Sequence, residues 1–356
     1  MKVNFKYAMM TIAALTMGLT SCSNDNDKVA ESEPQYLSIK ISGVVQSPTR
    51  AVEAPGETTV NTIKLNDGHI FVINPLGQVT YQEALNVSQA TNAGQILTTA
   101  IPADSRIYVI GNIPTADNAT ITALTDFNAI KAATSALTTQ TNYKEAALAN
   151  ADGQPTAIIP GASNTATVNV SIKPLISRLE LTQVKGIGDI TNFTVKGVYV
   201  DDYYPQFTYA GLYAGTKFSQ GQSTTFAGIG DAGAWAHTSL VAAPATGNVW
   251  AHNLAAGGLP RFIIELEDVK YNPGISAGAP LGEVDLSGTT YYLTVTGYNN
   301  GGLTAFERGK IYRIGGNNGI EFDQDDLGLV PNPVDVDLTL NVTILEWEVV
   351  TPTANL

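Results

Sequence analysis

The side chains that most often carry out chemistry are few in this chain, and they are widely spaced. Its 356 residues include three histidines, His69, His237 and His252. None lies within four residues of another histidine or of a cysteine, so the spacing expected of a metal site is absent. There is no P-loop motif, and nothing selects a pair of carboxylates for glycoside hydrolysis. We therefore predict no catalytic residue, no cofactor and no resident metal, and we expect His69 to be structural.

One acidic cluster has the oxygen ligands that calcium prefers. Asp323, Asp325 and Asp326 lie close together, with Glu321 nearby. The cluster lacks the glycine and the distal glutamate of an EF-hand loop. A solvated acidic loop is therefore the expected structure, and a calcium site is the alternative.

The single cysteine, Cys22, follows a segment with the pattern of an export signal. Two lysines precede an apolar stretch from Ala8 to Leu19, which is about the length of a signal-peptide core and short for a membrane span. The sequence Leu19-Thr20-Ser21-Cys22 is similar to the lipobox of bacterial lipoproteins, in which the cysteine receives the lipid. A secretory signal beside a chance cysteine is the alternative. We predict a signal peptide over residues 1–21 and lipidation of Cys22.

The stretch that follows, Ser23–Asp27, is polar and acidic. It resembles the tether that sends lipoproteins of Bacteroidales-type cells to the outer surface, and it also fits a disordered linker. The formal net charge of −13 argues against nucleic acid as a partner and against electrostatic binding to anionic lipid. We predict a precursor that is held at the outer membrane by its lipid and exposed on the cell surface.

An alternating strand comes next, over Tyr36–Ser42. Leu37, Ile39 and Ile41 alternate with Ser38, Lys40 and Ser42, which is the pattern of a half-buried strand. We predict that this strand fills an apolar groove of the precursor. We further predict that it is the strand displaced on maturation.

A cleavable loop follows that strand. Arg50 lies in a short polar segment after Pro48, the kind of segment that proteases reach. The chain has five other arginines, and each lies in or beside a strand-like run. We predict cleavage between Arg50 and Ala51 by an arginine-specific protease, which would remove residues 22–50. A surface arginine without this role is the alternative.

The last long apolar stretch runs from Val336 to Val350. Leu338, Leu340, Val342 and Ile344 share one face, and Trp347 and Val349 continue one residue out of phase, which indicates a bulge or a twist. An apolar strand at a chain end favours aggregation unless it is paired. We predict that part of it is a donor strand for a neighbouring molecule. The alternative is that it closes its own sheet.

The overall composition favours strands. Apolar residues make up 44% of the chain and charged residues only 14%, and turn signals separate short runs of β-forming residues. We predict an all-β fold of two antiparallel β-sandwich domains, one over residues 51–166 and the other over 167–356. A single short helix is expected at Thr125–Leu137, capped by Thr125 or Asp126.

In their order along the chain, these features resemble the fimbrillins, the subunits of type V pili. The resemblance covers essentially the whole chain and includes the segments Arg178–Leu181 and Arg308–Tyr312 and the strand around Trp347. It implies two transthyretin-like sandwiches, export as a lipidated precursor, and cleavage after an arginine by a trypsin-like or gingipain-type protease. It also implies polymerisation by strand exchange with other copies or related pilins. The resulting fimbria, with this chain in its shaft, would support adhesion to host or bacterial surfaces.

A second class of function is a monomeric outer-surface lipoprotein that binds carbohydrate or protein. Its support is the aromatic content of residues 201–260, because tyrosine and tryptophan favour interfaces and sugar faces. Retention of residues 22–50 in the mature protein would favour it. A secreted hydrolase is the third class, and no group of residues supports it.

Overall fold

The structure is a computed structural model that describes residues 36–42, 44–45, 62–102, 104–140, 146–159, 165–225, 229–231, 235–244, 249–299, 303–315, 318–331, 338–346 and 348–350. Strands dominate these residues, and the prediction of an all-β fold is confirmed.

The first part of the chain contains strands β1 Tyr36–Ser42, β2 Val44–Val45, β3 Thr62–Lys64, β4 Gly68–Ile73, β5 Val79–Ala84, β6 Gln95–Ile96, β7 Arg106–Gly111, β8 Thr134–Ala136, β9 Leu148–Asn150, β10 Thr156–Ala157 and β11 Thr165–Pro174. It also contains helices α1 Val87–Thr91, α2 Thr115–Thr122 and α3 Phe127–Ala132 and a 3-10 helix at Leu137–Thr139.

The second part contains strands β12 Ile176–Leu181, β13 Val184–Gly186, β14 Ile190–Asp201, β15 Gln206–Thr208, β16 Tyr213–Ala214, β17 Ile229–Asp231, β18 Trp235–His237, β19 Val241–Pro244, β20 Trp250–Ala255, β21 Arg261–Tyr271, β22 Val284–Asp285, β23 Tyr291–Asn299, β24 Lys310–Ile314, β25 Ile320–Phe322, β26 Leu338–Glu346 and β27 Glu348–Val350. A 3-10 helix spans Gln324–Asp326.

Two large sheets organise these strands. The first has the order β5-β4-β7-β9-β11-β1-β6, with β10 beside β7. The second has the order β17-β14-β21-β23-β26-β24-β12-β20, with β22 beside β21. Three small sheets complete the described fold, with the orders β18-β19-β13-β25, β16-β15-β8 and β2-β27-β3.

Strand pairing is mixed, which differs from the antiparallel sheets expected. Most neighbours are antiparallel, but in the large sheets β1 pairs with β11, β12 with β24 and β23 with β26 in parallel. In the small sheets, β13 pairs with β25, and β27 with both β2 and β3, in parallel. The strands of each parallel pair are far apart in sequence, so no tight hairpin forces them to run antiparallel.

The helix predicted at Thr125–Leu137 is present but shorter. Helix α3 begins after Asp126, whose carboxylate accepts a hydrogen bond from the Ala129 amide at 3.0 Å, so the cap is as predicted. The helix ends at Ala132 because the chain from Thr134 pairs with β15 as strand β8. Helices α1 and α2 were not predicted.

Each large sheet has its own hydrophobic core. The first core is built mainly from residues 37–176, and the second from residues 179–342. The chain passes from one sheet to the other at Leu175, between β11 and β12, whereas the boundary predicted from the sequence lies between residues 166 and 167. The division into separate domains remains a prediction.

A buried arginine joins the two parts of the chain. Arg308, just before β24, is only 8% exposed. Its Nη2 donates to the carbonyl oxygens of Asn150 and Ala151, and its Nη1 donates to that of Ala210 at 3.1 Å. Nearby, the Tyr108 hydroxyl donates to the Tyr209 carbonyl at 2.7 Å.

Replacing Arg308 by alanine should lower the free energy of unfolding by about 2–3 kcal/mol, because buried carbonyl groups lose their charged donor. Urea denaturation followed by tryptophan fluorescence measures this. The control is Arg106→Ala, since Arg106 is an exposed arginine at the start of β7. Equal midpoints for the two variants would contradict the assigned role of Arg308.

Candidate functional site

The candidate site is the slot that strand β1 occupies in the first sheet. Leu37 and Ile39 are fully buried and Ile41 is 3% exposed, whereas Tyr36, Lys40 and Ser42 are exposed. The predicted alternation is confirmed. All three apolar side chains belong to the first hydrophobic core.

Strand β1 has a neighbour on each side. It pairs in parallel with β11 along its whole length, from Tyr36 opposite Thr165 to Ser42 opposite Ser171. On the other side, Ser38 and Ile39 pair with β6, and the Leu97 amide donates to the Leu37 carbonyl at 2.9 Å. Strand β1 is therefore an interior strand of the sheet, and its removal would leave a groove between β11 and β6.

Gly94 lies close to β1. This residue has φ +97°, a conformation that favours glycine, and a Cβ there would collide with the Ser38 hydroxyl. The backbone beside β6 therefore lies directly against the polar face of β1.

The C-terminal segment pairs within its own molecule in this structure. Strand β26 lies between β23, to which it is parallel, and β24, to which it is antiparallel. Val342 is 7% exposed and Ile344 is 38% exposed. Leu338 and Leu340 lie on the same strand. The alternative that this strand closes its own sheet describes the arrangement found for β26, and its role as a donor strand remains a prediction.

The final strand, β27, lies outside the second sheet. Val349 pairs with Val44 of β2 on one side and with Ile63 of β3 on the other, and all three strands are parallel. The bulge or twist predicted after Ile344 is not found there, because β26 pairs with β24 in one unbroken register through Leu345 and Glu346. Strand β27 begins at Glu348, and Trp347 lies outside the described residues. The N-terminal segment therefore contacts both the first core, through β1, and the C-terminal strand, through β2.

The predicted lipidation and cleavage residues, Cys22, Arg50 and Ala51, lie outside the described residues. The other arginines lie within them. Arg178, Arg308 and Arg313 are at most 8% exposed. The other two, Arg106 and Arg261, are held in paired strands, and Arg261 Nε lies 2.8 Å from an Asp202 carboxylate oxygen.

In the acidic cluster at residues 323–326, the Asp323 and Asp326 carboxylates accept hydrogen bonds from nearby backbone amides. Asp323 Oδ1 accepts from the Asp325 amide at 2.9 Å, and Asp326 Oδ2 accepts from the Asp323 amide at 2.9 Å, which forms a capping box. Burial raises the pKa of Asp326. Among the described residues, no group of three or more histidine, cysteine, aspartate or glutamate side chains is placed to hold a metal ion.

The histidines do not form a catalytic cluster in the described structure. His69 lies in β4, with its ring 6.3 Å from that of Phe71, and burial lowers its pKa. Burial also lowers the pKa of His237, and His252 packs edge-on against Trp250 at 4.9 Å. These contacts fit structural roles.

Much of the aromatic content of residues 201–260 is used in packing. Trp250 is 7% exposed and packs edge-on against Phe262 at 5.2 Å. Tyr204 and Tyr213 are stacked with ring centroids 4.0 Å apart, and Tyr213 is 48% exposed. Among the described residues, the exposed Tyr213, stacked on the partly buried Tyr204, is therefore a candidate binding surface.

Sequence reasoning missed a buried ionic cluster in the second sheet. Glu180 is fully buried, and its carboxylate lies 2.9 Å from Arg178 Nε and 2.9 Å from Arg313 Nη2. Parallel pairing of β12 and β24 sets Glu180 opposite Arg313. The segment Arg178–Leu181 reads as an alternating strand with a polar face, and only the three-dimensional structure shows both faces to be covered.

Within the described part of the chain, no helix is long and apolar enough to cross a membrane.

Comparisons with known proteins give a consistent fold. No family model matches the chain, and no curated protein matches it. Two crystal structures from Parabacteroides distasonis, each of a "putative cell adhesion protein", align with TM-scores of 0.55 and 0.56 at 15% and 13% identity. The first alignment covers 91% of this chain and 99% of the other, and the second covers 88% and 99%.

A fimbrilin from Porphyromonas gingivalis aligns over 90% of this chain and 100% of its own, with a TM-score of 0.49 and 15% identity. At these identities, the two alignments to Parabacteroides distasonis structures establish a shared fold. The structural neighbours thus include a fimbrilin and two putative cell adhesion proteins.

Proposed function

We propose that this chain is a structural subunit of a cell-surface fimbria, that it belongs to the shaft, as the sequence resemblance implies, and that it assembles by strand exchange. The precursor is exported, lipidated at Cys22 and held at the outer membrane. Cleavage between Arg50 and Ala51 removes β1 and β2. The C-terminal segment of a second copy, or of a related pilin, then fills the groove.

The observation that carries this proposal is the position of β1. It is an interior strand with three buried apolar side chains, yet it belongs to the segment before the predicted cleavage site. Loss of β1 would expose the apolar groove and two unpaired backbone edges, which makes a strong binding site for another strand. When an incoming strand buries three apolar side chains in this groove, each contributes about 1.5–3 kcal/mol to the free energy of binding, before the costs of association are subtracted.

The arrangement of the arginines supports selective cleavage. Proteases need an extended, accessible segment, and the five arginines within the described structure are buried or held in paired strands. Arg50 is the one arginine that the sequence places in a loop after a proline. An arginine-specific protease is therefore expected to cut the folded precursor at this position first.

The alternating apolar residues of the C-terminal segment support its role as the donor strand. Its residues Leu338, Leu340, Val342 and Ile344 repeat the spacing of Leu37, Ile39 and Ile41. Trp347 and Val349 belong to the same proposed donor segment. Removal of β2 would also take away one of the two strands that pair with β27. Donation requires β26 or β27 to leave its present partners.

An adhesive role on the cell surface follows from the same proposal. Structures of this fold carry the description of cell adhesion proteins, and the acidic, weakly charged composition fits an extracellular surface. The proposed role is structural rather than catalytic. The second candidate is a monomeric surface lipoprotein that binds carbohydrate or protein, and the exposed Tyr213, stacked on Tyr204, favours it.

Treatment of the unlipidated precursor, which starts at Cys22→Ser, with a trace of arginine-specific protease tests the proposal. We expect a single early cut that leaves Ala51 as the first residue, followed by multimers that survive sodium dodecyl sulfate without boiling. The Arg50→Lys variant keeps the positive charge and should resist the protease, with complete loss of multimers. A stable monomer after cleavage at Arg50 would favour the binding lipoprotein instead.

A further inference from the structure

Strand β6 forms one wall of the groove, and its strand pairing depends on β1. It has only two residues, Gln95 and Ile96, and in the described sheets its one partner is β1. Ile96 is 60% exposed, so its side chain adds little burial. If β1 leaves, backbone pairing no longer holds this wall in place.

Side-chain hydrogen bonds from Gln95 hold the same wall independently of β1. Gln95 is 3% exposed. Its Nε2 donates to Glu83 Oε1 at 2.9 Å and to the Ala84 carbonyl at 2.9 Å, and its Oε1 accepts from the Asn86 amide at 2.7 Å. The side-chain amide group of Gln95 thus holds the start of β6 against the end of β5.

Glu83 is the centre of this network. Its Oε2 accepts from the Tyr81 hydroxyl at 2.6 Å, from the Thr98 amide at 3.1 Å and from the Thr98 hydroxyl at 3.0 Å. Burial alone would raise its pKa, but the hydrogen bonds from Tyr81, Thr98 and Gln95 outweigh burial and lower it. The carboxylate therefore stays charged at neutral pH and binds both ends of the segment 95–98.

We propose that Glu83 is a positioning residue for strand exchange, which keeps the β6 wall in place while the groove is empty. None of its hydrogen-bonding partners belongs to β1. This inference rests on the proposed function, because it concerns the state after cleavage. The empty groove keeps two fixed walls, so an incoming strand does not have to order one of them as it binds.

The Glu83→Ala variant tests the inference, with Glu267→Ala as the matched control. Glu267 lies on β21 in the other large sheet, is partly exposed and forms an ion pair with Lys196 at 2.6 Å. The control variant therefore also removes a glutamate side chain that has a bonding partner on a strand. Cleavage at Arg50 should proceed equally in wild type and both variants. In Glu83→Ala, we expect multimers to form at least about tenfold more slowly, the effect of losing about 1.4 kcal/mol of preorganisation.

Two further measurements separate positioning from general stability. Hydrogen exchange of the Asn86 amide, which donates to Gln95 Oε1, should be slow in the uncleaved wild type and in the uncleaved Glu83→Ala variant, because β1 still pairs with β6 in both. After cleavage it should become fast in Glu83→Ala alone. A labelled peptide of residues 36–45 should bind the cleaved Glu83→Ala chain at least about tenfold more weakly than the cleaved wild type, for the same reason.

Each outcome has a distinct meaning. If the wild type assembles and binds the peptide and Glu83→Ala does both equally well, the role of Glu83 is overturned and the proposed function stands. If the cleaved wild type neither assembles nor binds the peptide, the proposed function is overturned together with this inference. Fast exchange of the Asn86 amide in the uncleaved Glu83→Ala variant would also overturn the role of Glu83 in strand exchange, since the network would then be a general structural support.

Discussion

Replacing Ile39 by aspartate in the uncleaved precursor is expected to lower the free energy of unfolding by at least about 4 kcal/mol. Ile39 is fully buried at the centre of β1, between β11 and β6. The variant loses the burial of the isoleucine side chain and places a carboxylate in an apolar core. Both effects act in the same direction. Urea denaturation of the precursor gives the change from the shift in the transition midpoint.

The neighbouring residue supplies a matched control for this prediction. Lys40 lies on the same strand but is exposed. Lys40→Asp introduces the same carboxylate one position along and should change the free energy of unfolding by about 0.5 kcal/mol or less. If Ile39→Asp and Lys40→Asp unfold at the same urea concentration, β1 does not fill a groove in solution.

The second large effect is expected from Glu180. The Glu180→Ala variant leaves two buried guanidinium groups, those of Arg178 and Arg313, without their shared carboxylate. Breaking a buried ion pair on one side typically costs about 3–5 kcal/mol. We expect a loss of that size in urea denaturation, and about 0.5 kcal/mol or less for Glu267→Ala, since that carboxylate is partly exposed.

A triple variant distinguishes the ionic network from the packing around it. Replacing Arg178 and Arg313 by methionine and Glu180 by leucine removes all three charges at similar volume. Such replacements are often neutral or stabilising, by up to about 4 kcal/mol. The triple variant should therefore recover most of the stability that Glu180→Ala loses. If it is as unstable as Glu180→Ala, the loss comes from packing and not from unpaired charge.

The sequence predicted the elements with a simple period and missed those set by tertiary contacts. Strand β1 alternates over seven residues, so its buried face could be assigned from the sequence. Asp126 could be recognised as a helix cap because its signal is local. Helix α1, capped by Asn86, has only five residues, too few to show a helical period.

The candidate site was predictable in part for the same reason. Strand β1, which occupies the groove, has an alternating apolar pattern that can be recognised in the sequence. The pairing of the two strands that form the walls of the groove, β11 and β6, cannot be recognised in this way. The parallel partner β11 lies more than a hundred residues away, and the two residues of β6 carry no periodic signal. The Glu83 network and the ionic cluster at Glu180 depend on residues that pairing brings together, so neither could be predicted from local spacing.

The parallel pairing of β1 with β11 has a consequence for the symmetry of an assembly built on this groove. A strand that replaces β1 in the same register enters with one fixed direction, set by β11. The donor segment and the groove are different surfaces of the subunit, so the contact is heterologous, and two subunits cannot satisfy each other through a twofold axis. Every subunit in such a fibre points the same way, and its two ends are chemically different. One end presents an empty groove and the other a free donor strand. An incoming subunit must therefore supply its donor strand at the first end and its groove at the second.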